Sequence, residues 1–300
     1  MDVLVIGATG FVGGAVARHL AGHGHRVTGM ARSAAAAERL RGQGVTPLLG
    51  DLDGGREPVL AAAACSDAVV FAAQPAPHDE ERMVAELLDV LAGTATTFVF
   101  TSGSGVLLQR TEGAWSEDSY AEDDPFPVEP LAERRFAVEN AVRAAAPGLR
   151  TIVLRPGLIW GPDDHGHVSM IYRSVATTGA ACYVGEGLNT YSHVHVDDVC
   201  DLAERALATG TAGAVYHAAA GETPNRWIAR SVAADLDRPT RSLDLAEAAE
   251  VWGEFGALIM SASSRTRAPR SRRELGWAPR HTDLLTTIGE PRLRALATAH

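Results

Sequence analysis

Val3-Leu4-Val5-Ile6-Gly7-Ala8-Thr9-Gly10-Phe11-Val12-Gly13 is the stretch whose reading decides the fold. Its four leading apolar residues have the character of a strand covered on both faces. The run over 15–20 that follows reads as a helix. Strand, glycine turn and helix together are the context that a dinucleotide-binding fingerprint requires. Gly7 permits a turn that a Cβ would block, Gly10 lets backbone N–H groups approach a pyrophosphate, and Gly13 lets the helix pack closely on the strand. The helix N-terminus, with unpaired N–H groups and the positive end of its dipole, then faces the phosphates. Thr9, Phe11 and Val12 complete the expected phosphate-side contact.

Further strands are expected over 25–30, 45–49, 68–71, 97–100 and 151–154, with helical runs between them. That alternation is the sign of a parallel sheet with right-handed crossovers. The predicted class is α/β, a doubly wound parallel sheet over residues 1–160, with a smaller C-terminal lobe over 161–300. A strand over 215–217 is expected to return to the main sheet. An NAD site usually carries an acid at the end of the second strand. This chain has Arg32 and Ser33 there, a guanidinium and a hydroxyl suited to a 2′-phosphate, so NADP(H) is favoured over NAD(H). Small residues after the fourth strand, Ala72 and Ala73 with Gln74, leave room for a cofactor, and Thr101 closes the fifth.

The Gly-x-x-Gly-x-x-Gly spacing with Thr9 resembles the signature of extended and atypical short-chain dehydrogenases/reductases, the NAD-dependent epimerase/dehydratase-like proteins. Three later stretches resemble elements of that family in the expected order. These are Arg155-Pro156-Gly157-Leu158-Ile159-Trp160-Gly161-Pro162, Tyr191 to Asp198, and Leu275-Gly276-Trp277-Ala278-Pro279. The resemblance implies that Asp51 and Leu52 contact adenine and that the backbone at Pro156, Gly157 and Leu158 lies beside the nicotinamide. It also implies a Tyr-x-x-x-Lys proton-transfer pair on the helix over 131–146, but Leu131 and Arg135 stand at those two positions. A group elsewhere would then supply the proton. Ser102 or Ser104 would hold the substrate oxygen, and Arg135 the ribose or the substrate. Tyr120, Tyr172, Tyr191, His165, His167 and His193 are candidate donors, with Tyr120 placed in the candidate catalytic set; water is another. Three readings stay open: an atypical reductase of a small carbonyl, enone or imine metabolite, a cofactor-retaining epimerase, dehydratase or isomerase, and a non-catalytic NADP sensor.

The acidic, proline-rich segment over 109–130 is expected to lie over the site as a lid or substrate loop. Trp227, Trp252 and Phe255 are expected to serve packing. Asp197 or Asp198 is expected to cap the helix that follows it, and the histidines near 165, 167, 193 and 195 are expected to hold no metal. Formal net charge is −10, which argues against a nucleic-acid partner. Three scattered cysteines, Cys65, Cys182 and Cys200, suggest no disulfide framework. With no apolar run long enough for a bilayer, the expectation is a cytoplasmic protein acting on a small molecule, without membrane contact. Relatives suggest a homodimer.

Overall fold

The computed structural model describes residues 1–162, 164 and 166–298. Twelve strands run in chain order as β1 (Asp2–Ile6), β2 (Arg26–Ala31), β3 (Thr46–Leu49), β4 (Ala68–Phe71), β5 (Thr97–Thr101), β6 (Arg150–Pro156), β7 (Leu158–Trp160), β8 (Ala181–Val184), β9 (Thr190–His195), β10 (Ala214–Ala218), β11 (Gly221–Pro224) and β12 (Thr240–Leu243). The helices are α1 (Phe11–Gly22), α2 (Ala34–Arg41), α3 (Glu57–Ala64), α4 (Pro77–Leu91), α5 (Glu133–Ala144), α6 (His167–Thr178), α7 (Val196–Thr209), α8 (Asn225–Leu236), α9 (Leu245–Ser261), α10 (Pro269–Leu275) and α11 (Pro291–Leu296).

Seven strands form one all-parallel sheet in the order β10-β6-β5-β4-β1-β2-β3. Side chains alternate across it. Val3 and Val5 of β1 pack into a core with α1, α2 and α7, whereas Leu4 and Ile6 pack into a second core with α3, α4 and α5. Full burial of each such side chain contributes about 1.5–3 kcal/mol before entropy is counted. The chain runs outward from β1 to β3 and returns to β4, so the strand order reverses between β1 and β4. That reversal is the topological switch point, where a crevice opens at the carboxyl ends of the strands.

After β6 the chain builds a smaller lobe. β11-β9-β7 form one short sheet and β12-β8 another, packed with α6, α8 and α9 around their own apolar core. α9 is broken at Gly253, whose φ of 74° is left-handed. α7, β10 and α10 return to the main sheet, and Trp277 is buried in the first core. Among the described residues no helix is long and apolar enough to cross a membrane.

The segment over 109–130 does not form the expected lid. It is strapped to the late segment over 261–271 through β-bridges at Gln109–Ser263 and Tyr120–Thr266. Glu122 accepts from the backbone N–H groups of Arg270 and Ser271, while Asp123 and Asp124 pair with Arg270 and Arg267. The acidic run and the basic run are each other's partners.

Buried beside the sheet is a charged cluster. The Arg155 guanidinium donates twice to Glu139, both groups being fully buried, and its third arm lies 3.2 Å from His217 Nε2. His217 Nδ1 donates to the Arg267 carbonyl at 3.0 Å, so its Nε2 is the acceptor for Arg155. Burial and the adjacent guanidinium push the His217 pKa down to about 3.

Candidate active site

The carboxyl ends of the central strands open on one cleft of about 840 Å³. At its base is the first turn. Gly7 has φ of 98°, and a Cβ there would stand 2.6 Å from Ala73 N. A Cβ on Gly13 would stand 2.3 Å from the Gly7 carbonyl, so Gly13 is buried behind the cleft and serves the strand–helix contact. Gly10 differs from both. A Cβ there would meet only the Gly7 oxygen, at 3.4 Å, so packing does not demand glycine. What glycine provides is bare backbone facing the cleft. Gly10 is also the N-cap of α1; it gives no side-chain cap, and the first turn carries no acid. The helix end therefore keeps unpaired N–H groups and its positive dipole end for an anion.

Thr9, Phe11, Val12, Ala72, Ala73 and Gln74 line the cleft near this turn, and Arg32 and Leu52 line it with Met30 and Asp53. Two residues expected at the cofactor instead build the loops that hold it. Ser33 caps α2, accepting from Ala36 N at 3.2 Å. Asp51 accepts from the backbone of Asp53, Gly54 and Gly55, which holds its carboxyl below the usual range. A dinucleotide fits these residues: the glycine turn is bare, the helix end is uncapped, and one cation stands at the β2 end.

The other end of the cleft is formed where the two lobes meet. Thr101 ends β5, with Ser102 and Ser104 after it; Pro156 ends β6, with Gly157 and Leu158 after it; α6, β9 and α9 supply His167, Met170, Tyr191, Phe255 and Ile259. Gly157 is required by a close approach, since a Cβ would stand 2.2 Å from the Ser192 carbonyl. Three buried polar atoms at this end, Ser102 Oγ, His167 Nε2 and Tyr191 Oη, have no hydrogen-bond partner among the described residues. Burying such groups unpaired costs about 1–3 kcal/mol each.

His167 has a defined tautomer. Asn225 Nδ2 donates to the Met260 carbonyl, so Asn225 Oδ1 faces His167 Nδ1 at 2.8 Å and accepts its proton. Nε2 is then a lone-pair acceptor. Full burial pushes the imidazole pKa down to about 4, so it is neutral at ordinary pH. Burial pushes the Tyr191 phenol far up, so it stays protonated. The two rings meet edge to face, 4.8 Å apart.

The remaining candidates are engaged elsewhere. Tyr120 lies outside the cleft, where it accepts from Gln109 Nε2 at 3.1 Å and packs on Phe126. Arg135 also lies outside, 2.6 Å from buried Glu80 and over the Phe100 ring. Tyr172 donates to Asp235 at 2.7 Å. His193 is buried against Thr223 and Trp160, and its pKa falls to about 4. His165 is outside the described residues. Leu131 is exposed before α5. The chain contains no lysine, so no ammonium is available to any tyrosine.

Two further expectations change. The N-cap of α7 is His195, whose Nδ1 accepts from Asp197 N at 3.2 Å. Asp198 reaches instead to the backbone N–H groups of Arg280 and His281, both at 2.9 Å. Phe255, expected to be packing, is two-thirds exposed at the mouth of the cleft. Met170, Phe255 and Ile259 were not legible as site residues because their apolar spacing is that of ordinary helix packing.

The sequence over residues 3–219 matches the NAD dependent epimerase/dehydratase family. The chain belongs to that family, within the extended short-chain dehydrogenases/reductases. It is 32% identical to an uncharacterised protein of Schizosaccharomyces pombe, covering 96% of this chain and 98% of that one. It is 31% identical to the 2-alkyl-3-oxoalkanoate reductase of Stenotrophomonas maltophilia, over 80% of this chain and 77% of that one. In fold it is similar to UDP-glucuronic acid 4-epimerase from Bacillus cereus, with a TM-score of 0.77 at 16% identity and 99% of both chains covered.

Proposed function

We propose that this family member is an NADP(H)-dependent reductase of a small carbonyl metabolite, and that Tyr191 stands in for the missing tyrosine. The observation that carries the reading is the trio of unpartnered polar atoms, Ser102 Oγ, Tyr191 Oη and His167 Nε2, lining the glycine-turn cleft. The bare backbone of Gly10 and the α1 N-terminus hold the pyrophosphate, Arg32 pairs with the 2′-phosphate, and Ala72, Ala73 and Pro156 to Leu158 leave room for the rings. Bound NADPH supplies a hydride to an electrophilic carbon. Ser102 donates a hydrogen bond to the substrate oxygen, and the Tyr191 hydroxyl delivers the proton that the oxygen takes up. His167 Nε2, an acceptor, orients a hydroxyl or N–H on the same substrate. The likeness to the Stenotrophomonas 2-alkyl-3-oxoalkanoate reductase supports a carbonyl substrate.

The test is loss of nicotinamide absorbance on mixing protein and NADPH with β-keto acids and hydroxy ketones. With a substrate in hand, Tyr191→Phe should lower kcat by about 10²–10⁴ while NADPH affinity is kept. Conversion without net cofactor change would replace the reading with a cofactor-retaining one, and an unaltered kcat would remove Tyr191 from it.

A further inference from the structure

At the end of α1 away from the cleft, three histidines gather on one carboxylate. His19 and His23 are one helical turn apart, so they project from the same face. His19 Nε2 lies 2.7 Å from Glu204 Oε2, and His23 Nδ1 lies 3.1 Å from the same oxygen. His25 Nε2 stands 3.9 Å from the other oxygen of Glu204, and the opposite nitrogen of His25 is buried with no partner among the described residues. The ligand atoms of His19, His23 and Glu204 all lie within 4.8 Å of one another. The two imidazoles on α1 meet edge to face with centroids 4.2 Å apart.

We propose that His19, His23 and Glu204, with His25 beside them, form a binding site for a divalent transition ion of the Zn²⁺ class. Two imidazoles and one carboxylate within reach of one another, with the His25 imidazole beside that carboxylate, are donors that such ions take. The site lies at the C-terminal end of α1, where the negative dipole end favours a cation. Glu204 comes from α7, so a bound ion ties the first helix of the nucleotide-binding half to a helix that follows the second lobe's first strands. Phe11, at the cleft, is about 12 Å of helix away from His19. The ion is structural, takes no part in the reaction proposed above, and does not depend on that proposal. The other three-residue cluster, His195, Asp197 and His281, is the competing position for an ion, and a variant at His281 separates the two.

Titration calorimetry of the full chain with zinc chloride should show one equivalent bound. His23 is half exposed and Glu204 can be replaced isosterically, so His23→Gln and Glu204→Gln leave the fold intact, as circular dichroism would verify. Loss of an outer partner alone costs about 10–100-fold in metal affinity, so loss of a ligand should cost at least about a hundredfold. His281→Ala should have no effect. Cobalt bound in place of zinc should give the intense visible bands of a tetrahedral ion, lost in His23→Gln. Absence of stoichiometric uptake would overturn the proposal, as would uptake that survives both variants or that is abolished by His281→Ala.

Discussion

Lowering the pH from 7 to about 5 should strip this fold of much of its stability, through histidines it buries in neutral form. His167 and His193 have pKa values pushed down to about 4, and His217 to about 3, against an ordinary value of 6.5. Desolvation is the first cause in each case. Above pH 6.5 folded and unfolded chains both carry neutral imidazole, and these groups contribute nothing to the pH dependence. Below it the unfolded chain takes up protons that the native state refuses, so stability falls until the native pKa is reached. Each unit of pH in that window costs about 1.4 kcal/mol per group. Between pH 6.5 and about 5 that is about 2 kcal/mol per histidine and about 6 kcal/mol for the three, comparable with the whole stability of an ordinary domain. His195 is shifted in the same direction. Glu80 acts oppositely, since burial raises its pKa, but its effect is confined to pH near and above the ordinary carboxyl value. Urea titrations at a series of pH values would read the loss directly. A midpoint that stays level from pH 7 to 5 would refute the buried, neutral assignment of these rings.

Arg32→Asp should weaken NADPH binding about ten- to hundredfold and leave NADH binding nearly unchanged, measured by fluorescence titration; equal losses for both would remove the phosphate-pairing role. Glu139→Leu should cost about 3–5 kcal/mol, because it leaves the fully buried Arg155 cation without its counter-charge. The double variant with Arg155→Met should recover most of that loss in the same denaturant assay, and failure to recover would show that the pair is not the unit.

The fold was legible because β1 and its glycine turn state their requirements locally. Val3 to Ile6 need cover on both faces, and Gly7 and Gly13 need the absence of a Cβ. The return of a strand over 214–218 was legible for the same reason, from a short apolar run. The end of the cleft at Ser102 and Tyr191 was less so. Tyr120 and Tyr191 look equivalent along the chain, and only the fold, which sets Tyr191 in the cleft with Ser102 and Pro156 and leaves Tyr120 outside it, separates them. The partner of Arg135 could not be read because Glu80 lies on another helix, 55 positions away. The lid expectation failed because an acidic loop beside prolines reads as solvated until its arginine partners, some 140 residues later, are placed against it.

That strap bears on the order in which the molecule can be completed during synthesis. The Arg32 end of the cleft and the glycine turn are made of residues that leave the ribosome well before that strap. Yet the buried imidazole of His217 waits for the carbonyl of Arg267, and the acids over 122–124 wait for Arg267, Arg270 and the backbone of Ser271. Trp277 fills the first core from still further along, held to the Asp198 carbonyl at 2.9 Å. The nascent nucleotide-binding half therefore emerges with its outer seam open, and residues 267–277 are what closes it.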